Sequence, residues 1–142
     1  MSINVCNDRS MASITSLPSG VSGSSLVLIS EQTASSSSTI SFTSGIDSTY
    51  KEYVFKFINI HPSEASRPQF NLSADGGSNY NVTKTTTLFA SYHAESGGST
   101  GGLGYSTGGD LAQGTGVQRL GGDTDADNDT AMSGTLTLFD PS

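Results

Sequence analysis

The run Tyr53-Val54-Phe55-Lys56-Phe57-Ile58-Asn59-Ile60 is the densest apolar stretch in the chain, and it narrows the folds open to everything around it. Alternation puts Tyr53, Phe55 and Phe57 on one face and Val54, Lys56, Ile58 and Ile60 on the other. Both faces are largely apolar, which is the pattern of a central strand covered on both sides, and the β-branched and aromatic content argues against a helix. The expected core is a β-sandwich with this strand inside it.

Other segments repeat the signal more weakly. Ser25 to Ser30 and the alternating Thr39-Ile40-Ser41-Phe42-Thr43 read as strands, separated by a serine-rich connection. Ser44 to Ser48 reads as a turn, and the central strand should end at His61-Pro62, because proline offers no ladder donor. Gln69 to Ser73 and Asn79 to Thr83 flank Ala74-Asp75-Gly76-Gly77-Ser78, the signature of a tight hairpin. Thr85 to Tyr92 is a further strand, Val117 to Leu120 a short one, and Ser133 to Phe139 the last, with Leu136 and Leu138 facing one way. Between them, residues 95–116 are dominated by Gly, Ser and Thr, with Leu103, Tyr105 and Leu111 as isolated anchors. This stretch exceeds the ~12–15 residues of an ordinary connection and is expected to be irregular, either a functional surface loop or poorly ordered.

The length of 142 residues suits one domain, in which folding removes about two-thirds of the unfolded chain's surface from water. The division expected is an arm or linker over residues 1–23, where Ile3, Val5, Ile14 and Leu17 are too sparse for a core of their own, and a sandwich over 24–142. A lone cysteine, Cys6, excludes an intramolecular disulfide. No segment has the apolar length of a signal h-region or of a ~20-residue membrane helix. The net charge of −7 and six scattered basic residues disfavour nucleic acid, since an acidic chain repels phosphate.

The sharpest local chemistry is Asp123-Thr124-Asp125-Ala126-Asp127-Asn128-Asp129. Its alternating carboxylates resemble the start of a calcium loop, and calcium takes roughly six to eight oxygens. The sixth position is Asn128 instead of Gly and the twelfth is Gly134 instead of Glu. An EF-hand is thereby excluded, leaving an irregular calcium site at Asp123, Asp125, Asp127 and Asp129 or, in preference, an acidic solvated turn. His61 and His93 are the only histidines, and catalysis would need one of them beside a carboxylate such as Glu64 or Glu95. No serine sits in a Gly-x-Ser-x-Gly elbow and no glycine run forms a phosphate loop. Tyr80, Tyr92 and Tyr105 in or beside loops are able to stack on sugar rings, but the chain has no Trp and ordinary packing of half-buried tyrosines is the preferred reading. Neither a catalytic residue, a cofactor nor a metal ligand is assigned.

Several ordered blocks carry a family resemblance: Gln32 to Ser37, Ile40 to Asp47, Phe57 to Pro62, Asp75 to Asn81, and Ser133 to Leu136 with Phe139 and Pro141-Ser142. Over about residues 14–142 the chain resembles a family of tailed-bacteriophage virion proteins from aquatic and environmental phages, usually described as virion structural or tail-fibre-like. The resemblance implies a virion component assembled in the host cytoplasm and brings no catalytic or binding residues with it. Members of that family continue into further strands after the block that ends at Ser142. The expectation is therefore either that this chain is truncated or that something else supplies those strands.

Taken together, the expected molecule is an all-β, antiparallel, jelly-roll-like β-sandwich with an irregular N-terminal arm. Its expected role is non-enzymatic, either capsid-surface decoration or tail-fibre adsorption, with a glycan-binding module as the rival. Its expected partners are other virion proteins, further copies of itself, and possible host-surface glycan through residues 95–116. Neither nucleic acid nor membrane insertion is expected.

Overall fold

The computed structural model describes residues 26–93, 101–127 and 129–141. The chain separates between Glu31 and Gln32 into two units, and of the first only residues 26–31 are described. The expected arm over residues 1–23, with Cys6, lies outside the described residues.

The second unit is built almost wholly of strands. In chain order these are β1 (Glu52–Ile60), β2 (Gln69–Phe70), β3 (Lys84–Thr86), β4 (Phe89–Tyr92), β5 (Gly102–Tyr105), β6 (Leu111–Gly114), β7 (Gln118–Arg119) and β8 (Met132–Phe139). A single 3-10 turn at Thr107–Gly109 is the only helical element among the described residues. Four antiparallel two-stranded sheets result, pairing β1 with β8, β2 with β7, β3 with β6 and β4 with β5.

These pairings nest. As one arm of the chain advances from β1 to β4 the other recedes from β8 to β5, so the whole unit is one ribbon folded back between Tyr92 and Gly102. Backbone bonds continue the ribbon between its sheets. Asp140 N–H donates to Lys51 O at 3.0 Å, Ser66 and Thr124 exchange bonds at 2.9 and 2.8 Å, Leu120 N–H reaches Pro68 O at 2.8 Å, and Ser106 N–H reaches Leu88 O at 2.7 Å. No ladder joins one strand pair to the next among the described residues.

The β1–β8 pair anchors the ribbon. Tyr53 opposes Leu138 and Phe55 opposes Leu136, so the aromatic face of β1 and both leucines of β8 share one side. Tyr53 is the one buried apolar side chain among the described residues, packed edge-on against Tyr50 with ring centroids 5.8 Å apart. Its hydroxyl donates to Asp47 O at 2.9 Å and accepts from Asp47 N–H at 3.1 Å, which locks the turn before β1. Phe42 adds a T-shaped contact to Phe55 at 5.7 Å. On the opposite face Val54 and Ile60 are half-buried and Ile58 is 74% exposed, so among the described residues β1 is not covered on both sides as its sequence leads one to expect. A β-bulge interrupts β1 between Phe57 and Ile60, where Asn59 adopts φ +53° and donates its N–H to Ser133 Oγ at 3.0 Å.

Elsewhere the buried groups are polar. Lys84 lies buried at the start of β3, donating to Asn71 Oδ1 at 2.5 Å and Val82 O at 2.8 Å, while Asn71 Nδ2 donates to Tyr80 O and Thr115 O. Burial pushes the Lys84 amine below its ordinary pKa, because the charged form loses water. Gln118 is buried in β7, donating to Gly109 O and Arg119 O and accepting from Thr86 Oγ1.

Four sequence expectations need correction. Residues 26–30 and 39–43 carry no regular secondary structure and join no ladder among the described residues. Gln69–Phe70 takes its ladder with Gln118–Arg119, and the expected hairpin with residues 79–83 is reduced to one backbone bond, Val82 N–H to Leu72 O at 3.4 Å. Ser73 Oγ and Asn79 both bond Asp75, which holds its carboxyl down at about 2. The expected strand from Thr85 to Tyr92 is split into β3 and β4. Finally, of the stretch over residues 95–116, residues 101–116 are not an irregular loop: they carry β5, the 3-10 turn and β6.

Candidate functional site

Exposed apolar side chains gather at the folded end of the ribbon. β4 and β5 pair in register as Phe89 with Tyr105, Ala90 with Gly104, Ser91 with Leu103 and Tyr92 with Gly102. Directly opposed residues share a face, so Phe89, Tyr105, Ser91 and Leu103 lie on one side and Tyr92 on the other. Leu103 is 82% and Phe89 68% exposed, and Tyr92 and Tyr105 are also open to solvent. Clustered apolar exposure of this kind marks a contact surface more often than isolated exposed residues do.

The cluster is held from beneath. The Phe89 and Tyr105 rings meet with centroids 5.3 Å apart at 47°. The Tyr105 hydroxyl donates to Asp110 Oδ2, which raises the phenol's pKa, and Asp110 Oδ1 accepts from Leu88 N–H at 3.0 Å. Gly109 is buried directly under Leu88, where a Cβ would stand 2.4 Å from Leu88 Cδ2. Across the hairpin, a Cβ on Gly102 would meet the Tyr92 hydroxyl end at 3.0 Å, so that ring covers the glycine backbone. The result is a pair of aromatic faces on paired strands with a carboxylate beside one of them. Such a surface stacks on apolar rings, sugar rings included, or docks an apolar partner.

The remaining candidates separate. Asp123 is engaged by Arg67, whose guanidinium bonds both carboxylate oxygens and lowers the Asp123 pKa. Asp125, Asp127 and Asp129 are exposed, and no group of three His, Cys, Asp or Glu side chains suited to a metal converges among the described residues. His61 contacts Asn59 Oδ1 at 3.1 Å, and His93 is exposed at the end of β4. Tyr80 is remote in role from Tyr92 and Tyr105, standing at the Asp75 turn beside Gly77.

No family model, curated protein or solved structure matches the chain.

Sequence reasoning named Tyr92, Tyr105 and Leu103 but not Phe89 or Asp110. The available signal was period-two alternation on either side of the fold-back, Phe89 and Ser91 against Leu103 and Tyr105. The two intervening glycines of β5 hid it, since glycine lowers strand propensity.

Proposed function

We propose that the chain is a non-enzymatic structural component of a bacteriophage particle, folded as a jelly-roll sandwich and working as an assembly of identical copies. What supports the fold reading is the nested order of the eight strands. A two-stranded ribbon is marginal in water and needs its faces covered. Wrapping this ribbon on itself brings β1–β8 beside β3–β6 in one sheet and β2–β7 beside β4–β5 in the other, the jelly-roll arrangement used by viral capsid and lectin domains. The virion assignment rests on the family resemblance in the ordered sequence blocks. Exposed Ile58 and Phe139 on the β1–β8 pair support association, because both await cover.

Within the particle, capsid decoration and tail-fibre adsorption are both consistent with this reading. The ribbon tip favours a second, compatible role in contact with host-surface glycan, through Phe89, Tyr92, Leu103 and Tyr105. Gold-labelled antibody imaged on native particles tests the structural role: label at regular capsid or tail positions is expected, and unlabelled particles refute it. Tyr92→Ala with Leu103→Ser tests the tip, with adsorption expected to fall at least tenfold while the melting temperature holds. Unchanged adsorption removes the glycan role and leaves the structural one.

A further inference from the structure

The two edges of the β1–β8 pair are not alike. β1 carries the Asn59 bulge and the charged Lys56, devices that discourage a further strand from adding. β8 has no bulge, no proline and no charge over Met132–Phe139, and among the described residues its only ladder is with β1. A cleft of about 340 Å³ runs along its first half. Successive residues 131–135 all line it, although side chains alternate between faces, so the strand borders the cleft along its backbone. The opposite wall is residues 120–124, and Phe57 and Pro68 add apolar side chains to a lining of mixed polarity that includes Thr124, Ser133 and Thr135. Asp123 is the one charged residue there, and Arg67 engages it.

The same polypeptide carries a segment suited to such a slot. Val27-Leu28-Ile29 belongs to no regular element, is uncharged and apolar at every position, and leaves Leu28 79% exposed. A strand apolar on both faces is stable only when covered on both, as it is between a sheet edge and an opposing wall. Among the described residues nothing pairs with the outer edge of β8 and the segment is exposed, so each offers an unfilled pairing surface. Pairing between copies satisfies the two at once, and residues 30–41, the stretch before Phe42 packs on Phe55, extend to roughly 40 Å at most, enough to reach an adjoining copy.

We infer that residues 27–29 of one copy add as a strand to the free edge of β8 in a second copy, seated in the cleft between residues 131–135 and 120–124. This is β-augmentation, with backbone bonds supplying affinity and the apolar side chains of Phe57, Pro68, Leu120 and Met132 in the lining supplying selectivity. It rests on the assembly reading above and names the contact that makes the assembly.

The test places a photo-crosslinking benzoylphenylalanine at Leu28 in chains of ordinary isotopic mass, mixed and reassembled with nitrogen-15-labelled wild-type chains. The expected product joins residue 28 to a labelled peptide containing residues 120–124 or 131–135. A crosslink confined within one chain, or to any other peptide, overturns the inference. Light scattering provides the second readout. Leu28→Asp, at an exposed position, is expected to abolish the oligomer, leaving 14.6 kDa chains that melt at a lower temperature than wild type by circular dichroism. An oligomer unaffected by Leu28→Asp overturns this contact but leaves assembly standing, whereas a wild-type protein that is already monomeric refutes assembly itself.

Discussion

Replacing Gln118 with leucine removes a buried carboxamide that ties three parts of the ribbon together while keeping most of the volume. Its Nε2 donates to Gly109 O at 3.1 Å and to Arg119 O at 2.9 Å, and its Oε1 accepts from the Thr86 hydroxyl. That hydroxyl in turn accepts from Leu111 N–H at 2.9 Å, so β3, β6, β7 and the 3-10 turn share one network. Each such bond is worth about 1 kcal/mol net, and leaving a buried acceptor without a donor costs about 1–3 kcal/mol. Gln118→Leu should therefore cost about 3 kcal/mol, a drop of roughly 10 °C in melting temperature for a chain of this size. Thr86→Val strands the other end of the network and should cost about 1–2 kcal/mol.

The decisive quantity is the coupling between the two. Both substitutions remove the same Thr86–Gln118 bond, so the double variant should be more stable than the sum of the single losses implies, by about 1 kcal/mol. Urea unfolding followed by circular dichroism, at fixed protein concentration, measures all three. Strictly additive losses, or Gln118→Leu within about 0.5 kcal/mol of wild type, would falsify the network as a source of stability.

Further substitutions probe the Asp75 turn and the acidic loop. Gly76 and Gly77 have φ +67° and +91°, but only at Gly77 would a Cβ strike a neighbour, 2.6 Å from Thr43 Cγ2. Gly76→Ala should cost about 1 kcal/mol and Gly77→Ala about 3 kcal/mol, with Thr43→Ser recovering part of the second loss alone; equal losses in thermal melts would refute the clash. The carboxyl of Asp75 is depressed from 3.8 to about 2, so its contribution to stability is complete above the unfolded value and fades as pH falls toward 2. Melting curves of wild type and Asp75→Asn should converge between pH 5 and about 2, and a gap that stays constant would contradict the assignment. With Asp123 held by Arg67, millimolar calcium should leave the melting temperature unchanged; a rise abolished by Asp125→Ala would show that the loop binds the ion after all.

How much of this was legible depends on where each strand finds its partner. β1 and β8 stand out in sequence because a long apolar alternation has few other uses, and their register follows from placing Tyr53 and Phe55 against Leu138 and Leu136. The Asp75-Gly76-Gly77 turn was also readable, since its glycines supply the positive φ it needs. Its flanks were misjudged. Two-residue strands such as Gln69–Phe70 carry too little pattern to choose between a near partner and a distant one, and here the distant Gln118–Arg119 prevails. Lys84 and Gln118 were invisible as interior residues, because lysine and glutamine belong on the surface unless specific acceptors await them. Nothing local announces that Asn71, Val82, Gly109 and Arg119 are those acceptors.

The resulting distribution of side chains is the reverse of an ordinary interior, with Lys84 and Gln118 buried while Ile58, Phe139 and Val27 to Ile29 face water. Hydrogen bonds to Lys84 and Gln118 give the ribbon its internal specificity, but net gains of about 1 kcal/mol per bond do not offset the backbone entropy of ordering a two-stranded ribbon, about 1–2 kcal/mol per residue. Apolar burial has to supply the difference, and among the described residues the apolar area still available lies on exposed surfaces such as Ile58, Phe139 and residues 27–29. On the assembly proposed above, covering those surfaces and completing the fold are one event. Stability then depends on protomer concentration, as it does for obligate oligomers without a stable monomer. The open β8 edge and the exposed segment over residues 27–29 are, in that light, the two halves of the contact on which the fold itself depends.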